Sequence, residues 1–177
     1  MQRFEEERAM IPIISVVGRS NAGKTTLIER LIAELLRRGY RVGTIKHNRH
    51  GFEIDHEGKD SWRHRKAGAA VTVIASPAQI AVVEDAERDY GIAELAERYI
   101  RGVDLVISEG FKKNNLPKIE VWRPSEHQEF LCEAKDNLIA IASDQPVERG
   151  VPRFALDDIP GITDLIEKRI LKKGSSD

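Results

Sequence analysis

One eight-residue stretch near the start of the chain constrains its fold more than any other feature. Residues 18–25 read GRSNAGKT and match the pattern G-x-x-x-x-G-K-[ST] at every fixed position. The apolar run at 11–17 is typical of a buried strand, and residues 25–38 repeat apolar side chains at helical spacing. A strand, this loop and a helix in that order are the context in which the pattern forms a phosphate-binding loop, the P-loop.

The residue types of the loop predict how phosphates are held. Glycine permits backbone conformations closed to other residues, so the loop amides and the helix N-terminus can converge on one phosphate. Lys24 is the expected catalytic lysine on the β- and γ-phosphates, and the Thr25 hydroxyl is the expected Mg²⁺ ligand. The predicted nucleotide contacts are Gly18, Asn21, Ala22, Gly23, Lys24, Thr25 and Thr26. The plain alternative is a glycine turn that only joins strand to helix.

Length and composition bound the class of protein. The chain of 177 residues suits one nucleotide-binding domain over 11–171, with a loose leader at 1–10 and a flexible tail at 172–177. A formal net charge of -1 gives no reason to expect a nucleic-acid partner. Cys132 is the only cysteine, which excludes an internal disulfide framework. No apolar run is long enough to span a bilayer, and we expect a cytoplasmic protein with no membrane partner.

The order of predicted elements gives the fold class. A strand, the P-loop helix and a second strand at 41–46 form a parallel crossover, which indicates an α/β fold. We expect a P-loop NTPase-like, mostly parallel sheet flanked by helices, with additional antiparallel edge strands. Further buried strands are predicted at 103–108 and 138–142, and a hairpin at 71–84. We expect this hairpin and a strand at 118–122 to extend the sheet and contribute to a dimer surface, because nothing evident covers them.

A carboxylate on a neighbouring strand should support the Mg²⁺ ion. Asp104 stands at the start of the strand at 103–108 and Glu109 at its end, about 16 Å apart at the usual rise per residue. Phosphates bind at the carboxyl end of a parallel sheet, so Glu109 is the predicted metal ligand. Gly110 would let the backbone approach the γ-phosphate. The alternative for Glu109 is a solvated loop carboxylate.

The polar run at 47–66 follows the second strand, and the roles of its charged residues have more than one explanation. Either Asp55 or Asp60 is a candidate to orient an attacking water or to support the Mg²⁺ shell, with Asp60 preferred, and a surface turn or a helix cap is the alternative for each. Lys46 is a second candidate for phosphate contact. The basic residues at 63–66 suit a phosphorylated ligand or an ordinary solvated helix face. The following histidines match no zinc template and indicate a polar loop: His47, His50, His56 and His64.

Base recognition has a weaker signal. Proteins that read guanine usually offer an aspartate from an N/T-K-x-D loop, and this chain has none. Asp144, after the strand at 138–142, is the comparable residue. Its alternative role is to start a turn with Pro146.

These motifs together resemble the molybdopterin-guanine dinucleotide biosynthesis protein B family, MobB. The resemblance covers about residues 11–171 and rests on GRSNAGKTTL, TIKHNRH, GKDSWRHRKAGAA, DLVISEGFKK and IAIASD. It implies a P-loop protein that binds GTP and Mg²⁺, hydrolyses GTP weakly and pairs as a homodimer. The implied partner is a MobA-like molybdenum cofactor guanylyltransferase, which attaches GMP to molybdopterin. Lys24, Thr25 and Glu109 carry over to the family's site, and Asp60 matches the GKDS aspartate. Whether molybdopterin touches this chain stays open.

Two other functions stay in view. A stand-alone P-loop kinase that phosphorylates a small acceptor would use the basic run at 63–66 as a lid. A pure binding module would hold nucleotide without hydrolysing it.

Overall fold

The computed structural model describes residues 10–48, 51–52 and 54–171. Residues 1–9 of the predicted leader at 1–10, the tail at 172–177 and His50 lie outside the described residues. The chain divides into a larger compact unit, which comprises residues up to His47 and from Ile92 onward, and a smaller one over Asn48–Gly91. The single domain over 11–171 stays a prediction.

The larger unit is built on a six-stranded sheet with the order β2-β5-β1-β6-β7-β8. Every neighbouring pair in it is parallel. Its strands are β1 (Ile13–Val17), β2 (Val42–Lys46), β5 (Leu105–Glu109), β6 (Lys118–Trp122), β7 (Leu138–Ser143) and β8 (Arg153–Phe154). The carboxyl ends of β5, β1 and β6 therefore meet at one edge, and the P-loop follows β1 at that edge.

Helices cover the sheet. Those of the larger unit are α1 (Lys24–Arg37), α3 (Ile92–Tyr99) and α4 (Ile159–Ile166), and a π-helical turn, Glu167–Leu171, follows α4. Leu31 and Leu35 of α1 join Ile162 and Ile166 of α4 in the main apolar core against the sheet. This packing confirms the helical stripe predicted for α1, although Leu36 of that stripe is 67% exposed.

The position of β6 corrects one expectation. The strand at 118–122 was expected to lie at the surface, yet it lies between β1 and β7 and is buried. The two charged residues of β6 can be buried because their charges are satisfied inside the protein. The Lys118 ammonium donates to the carbonyls of Asn114, Leu116 and Asp136. The Glu120 carboxylate accepts from the main-chain amides of Leu131 and Cys132.

The smaller unit contains one helix and one hairpin. They are α2 (Asp60–Lys66), β3 (Val71–Ala75) and β4 (Ile80–Glu84). The strands β3 and β4 pair in antiparallel register, as predicted. They form a separate two-stranded sheet, so the expectation that the hairpin extends the main sheet is wrong. The fold class itself is confirmed: a mostly parallel sheet flanked by helices, with an additional antiparallel pair.

Candidate functional site

The loop between β1 and α1 has the backbone that the glycine pattern predicts. Gly18 has φ 151°, and a Cβ atom at this position would lie 2.5 Å from the carbonyl oxygen of Val121. No other residue fits there without moving β6. Asn21 adopts the left-handed region with φ 63°, and Gly23 caps α1 with φ 97°. The first amides of α1 consequently open toward the carboxyl edge of the sheet, as an anion site requires.

Lys24 crosses this loop. Its Nζ atom donates to the carbonyl oxygen of Arg19 at 2.8 Å. Burial lowers the pKa of Lys24, the nearby Lys112 and Lys46 lower it further, and only Glu109 raises it. The ammonium group is thus desolvated among other cations. A bound triphosphate would supply the negative charge that this arrangement lacks.

Thr25 and Glu109 meet beside this lysine. The Thr25 hydroxyl donates to both oxygens of the Glu109 carboxylate at 3.3 Å. The side chain of Glu109 is only 17% exposed, and the Nζ atom of Lys46 lies 3.9 Å from it. A hydroxyl and one carboxylate suit Mg²⁺, which keeps several waters and takes its other ligands from phosphates. The residues present therefore fit the predicted metal and nucleotide.

Strand register brings these groups together. Glu109 at the end of β5 is opposite Val16 of β1 on one side and Lys46 of β2 on the other. Asp104, the candidate set aside, precedes β5 at the opposite edge, where its carboxylate accepts from the amide of Arg41 at 2.7 Å.

Gly110 continues the chain from Glu109 in a conformation that only glycine tolerates well. Its φ is 100°, and a Cβ atom there would lie 2.8 Å from the carbonyl oxygen of His47. The His47 ring stacks on that of Phe111 at 4.7 Å between centroids. The segment that carries Glu109 is consequently held against the end of β2.

Asp144 and Thr26 are exposed residues of the predicted nucleotide site, whereas Ala22 is buried. Asp144 follows β7, which is two strands from β1 in the sheet order. Two strand spacings put it roughly 10 Å along the edge from the end of β1. The hydroxyl of the preceding residue, Ser143, accepts a hydrogen bond from the amide of Gln145 at 3.0 Å.

Asp55 and Asp60 belong to the smaller unit. Asp60 begins α2 with its side chain 90% exposed, and its carboxylate lies 3.9 Å from Arg63. Asp55 accepts from the Ser61 hydroxyl at 2.8 Å, while its second oxygen is buried without a partner. The role of Asp60 in orienting water stays a prediction.

The basic run and the histidines have ordinary surroundings. Arg65 pairs with Asp85 at 2.9 Å, and the Lys66 ammonium lies 5.4 Å from the centre of the Trp62 ring. Across 10–48, 51–52 and 54–171 the structure has no group of three or more His, Cys, Asp or Glu residues that could hold a metal ion.

The sequence alone missed the segment after β6. His127 contacts the P-loop through Nε2, 3.1 Å from the carbonyl oxygen of Ser20. Arg19 of the P-loop pairs with Glu129 at 2.8 Å. Arg123 packs against Gly23. Only the strand order, with β6 beside β1, reveals this segment as part of the site.

Comparison with known proteins decides the family. Residues 13–144 match the sequence profile of MobB, described as molybdopterin guanine dinucleotide synthesis protein B. The chain belongs to the MobB family. This confirms the resemblance drawn from the motifs.

Relatives support the assignment along most of the chain. A molybdopterin-guanine dinucleotide biosynthesis adapter protein of Haemophilus influenzae is 38% identical over 158 residues, which cover 89% of this chain and 88% of the relative. The Escherichia coli protein of the same name is 35% identical over 170 residues, with coverage of 94% and 97%. The crystal structure of Bacillus subtilis MobB superposes with a TM-score of 0.69 at 32% identity, covering 90% of this chain and 98% of that one. Another MobB crystal structure reaches 0.71 at 33% identity, with coverage of 88% and 98%.

As a member of the MobB family, the chain has its P-loop, Glu109 and Asp144 inside the matched residues. Among the described residues, no helix combines the length and the apolar character needed to cross a membrane.

Proposed function

We propose that this protein binds GTP with Mg²⁺ at the P-loop. The observation that carries the proposal is the meeting of the Thr25 hydroxyl with the Glu109 carboxylate, beside an ammonium group that burial destabilises. The loop amides and Lys24 would hold the phosphates, while Thr25 and Glu109 would hold the ion. Bound Mg²⁺ would neutralise charge on the phosphate oxygens.

The relatives' names supply the setting. We infer that the protein is an adapter in making the guanine dinucleotide form of the molybdenum cofactor. Its proposed partner is a MobA-like guanylyltransferase, which joins GMP to molybdopterin. Hydrolysis of GTP is proposed to be weak, with Asp60 as the group that orients the attacking water.

The preference for GTP over ATP is assigned to Asp144. A carboxylate accepts two hydrogen bonds from the ring and amino nitrogens of guanine and none of this kind from adenine. Its place at the end of β7, roughly 10 Å along the sheet edge from β1, is a suitable distance for a base whose phosphates lie in the loop. An Asp144→Asn variant should therefore narrow the difference between the two nucleotides.

A calorimetric titration tests nucleotide binding. GTP and ATP are each added with Mg²⁺ and with a chelator, and heat is expected for GTP with Mg²⁺. Lys24→Ala should abolish it. Lys135→Ala is the matched control, because this 77% exposed lysine precedes β7 at the opposite edge of the sheet. A folded wild type that gives no heat with either nucleotide would overturn the proposal.

A separate incubation addresses the kinase alternative. The basic residues Arg65 and Lys66 already have partners within the smaller unit, which favours a structural role over a lid. With labelled GTP, slow release of phosphate would support the adapter. A labelled pterin or nucleoside acceptor would support the kinase.

We also propose a homodimer that uses the β3–β4 hairpin. One face of this hairpin exposes apolar side chains, because Val73 is opposite Val82 and Ile80 is two residues from Val82: Val73 is 60% exposed, Val82 47% and Ile80 73%. Sedimentation at micromolar concentration should show a dimer, and Val73→Asp with Ile80→Asp should shift it to a monomer. Lys135→Ala again serves as the control. A wild type that sediments as a monomer contradicts the proposal.

A further inference from the structure

Arg123 emerges beside the P-loop, on the opposite side from Glu109. The sheet order places β1 between β5, which ends at Glu109, and β6. Val17, the last residue of β1, is opposite Glu120 of β6, and Arg123 follows β6 directly. The chain turns at once, because the carbonyl oxygen of Arg123 accepts from the amides of Glu126 and His127. This turn keeps Arg123 at the carboxyl edge of the sheet.

The guanidinium group of Arg123 lies beside Gly23, at the start of α1. A Cβ atom on Gly23 would lie 3.6 Å from its Nη2 atom, 3.8 Å from Cζ and 3.9 Å from Nε. His127, four residues later, fixes the same segment to the carbonyl oxygen of Ser20. Two points of contact therefore hold the group against the loop predicted to surround the phosphates.

Among the described residues, this cation has no carboxylate within ion-pair distance. Its Nε atom is buried and has no hydrogen-bond partner. Within the described part of the chain, Arg19 has a carboxylate partner in Glu129, whereas no ion pair involves Arg123. The N-terminus of a helix disfavours positive charge, and a buried donor without an acceptor costs free energy. Such an arrangement is advantageous when an anion joins it, and a guanidinium group recognises phosphate oxygens through paired hydrogen bonds.

We propose that Arg123 is a phosphate-binding residue of this site and donates hydrogen bonds to the β-phosphate of the bound nucleotide. The proposal rests on the proposed binding of a nucleoside triphosphate. It adds a contact from the β6 side of the loop, which neither the P-loop pattern nor the strand carrying Glu109 supplies. Gly23 directly precedes the first turn of α1, so a guanidinium group beside Gly23 is close to the phosphate that the loop amides would hold. That phosphate is the β-phosphate, which GTP and GDP share.

A structural support for the loop would predict different behaviour. If Arg123 braces Gly23 from outside, its removal should lower the melting temperature of the nucleotide-free protein. If Arg123 instead serves to bind phosphate, its removal should leave the melting temperature unchanged or raise it, because the substitution removes an unpaired positive charge from the helix N-terminus. The sign of this change separates the two roles.

The test compares Arg123→Gln, Arg123→Lys and a control, Arg30→Gln, which removes the same charge from an exposed position further along α1. Dissociation constants for GTP and GDP are measured by calorimetry, and melting is followed without nucleotide. Arg123→Gln should weaken both nucleotides by about ten- to a hundredfold, the usual range for a hydrogen bond to a charged group. Arg123→Lys should recover part of this loss, and the control should bind like wild type.

Two results would overturn the role of Arg123. One is a wild type that binds GTP while Arg123→Gln binds it equally well. The other is a loss of affinity accompanied by a lower melting temperature of the nucleotide-free variant, without recovery by lysine. Absence of binding in the wild type would instead refute the nucleotide site itself, so the two failures are distinguishable.

Discussion

Replacement of Gly110 by alanine tests how tightly the segment that carries Glu109 is held. The added Cβ atom would lie 2.8 Å from the carbonyl oxygen of His47, against an ordinary contact of 3.4–4 Å. That oxygen belongs to the main chain, so no side-chain rotation relieves the contact. Gly39 provides the matched control: its φ of 89° resembles the 100° of Gly110, and nothing lies within 4 Å of its Cβ position.

The two variants share every energetic contribution except the collision. Each places alanine in a left-handed conformation, which costs about 1–2 kcal/mol. Each also restricts the unfolded chain, which returns about 0.4–1 kcal/mol. Only Gly110→Ala must push apart two packed strand ends, and overpacking of this kind costs about 1–3 kcal/mol. The free energy of unfolding should therefore fall by about 1–3 kcal/mol more in Gly110→Ala than in Gly39→Ala.

Urea denaturation without nucleotide measures this difference, and both positions lie in the larger unit. A second measurement, the gain in GTP affinity on adding Mg²⁺, should shrink in Gly110→Ala alone, because the displaced segment carries Glu109. Equal unfolding free energies for the two variants would refute the argument, since they would mean that the ends of β2 and β5 separate at no cost.

Three more changes have defined outcomes. Glu109→Gln should reduce the Mg²⁺-dependent gain in GTP affinity about tenfold or more, since it removes the carboxylate that is proposed to hold the ion. Titrations with Mg²⁺ and with a chelator measure this, and an unchanged gain contradicts it. The pKa of Lys24 is lower in the folded protein than its ordinary value of 10.5, so between the folded and unfolded pKa values the unfolded chain binds more protons and the free energy of unfolding rises with pH. Urea denaturation across this pH range should show a smaller rise in Lys24→Met than in wild type. An equal rise in the two proteins would exclude the lysine as its source. Burial raises the pKa of the Cys132 thiol to about 11, so iodoacetamide at pH 8 should label it only after denaturation; labelling of the native protein at the rate of a free thiol would show that the thiol is not shielded.

The P-loop side of the site could be predicted from sequence because each signal there is local. The motif fixes the loop, the periodicity of the next residues fixes α1, and the apolar run before them fixes β1. Glu109 was found by a rule about strand ends, which needs only the direction of a strand. Each of these inferences uses only residues that are close together in the sequence. The structure then places Thr25 and Glu109, which were predicted separately, in contact.

The β6 side could not be predicted, because its position depends on strand order. The sequence of β6, KIEVW, alternates charged and apolar residues at its start, a pattern typical of a strand with one solvent-exposed face. Burial is possible because main-chain groups satisfy both charges, and several of these groups lie well along the chain: the carbonyl of Asp136 accepts from Lys118, and the amides of Leu131 and Cys132 donate to Glu120. No local pattern encodes those partners. The contact of Arg123 with Gly23 remained invisible for the same reason.

The charges around the P-loop should make this region costly to fold in the free protein. On a chain with a formal net charge of -1, the loop concentrates cations: Lys24 is influenced by Lys46 and Lys112, and Arg123 stands unpaired at Gly23. Glu109 is the one carboxylate that raises the pKa of Lys24. Mutual repulsion and desolvation of these groups are expected to lower the stability of the folded protein, and a triphosphate with its metal ion would remove both costs together. The same groups that destabilise the empty fold would therefore give the nucleotide complex its affinity, so charge-neutralising changes here should separate stability from binding, whereas changes in the core should lower both.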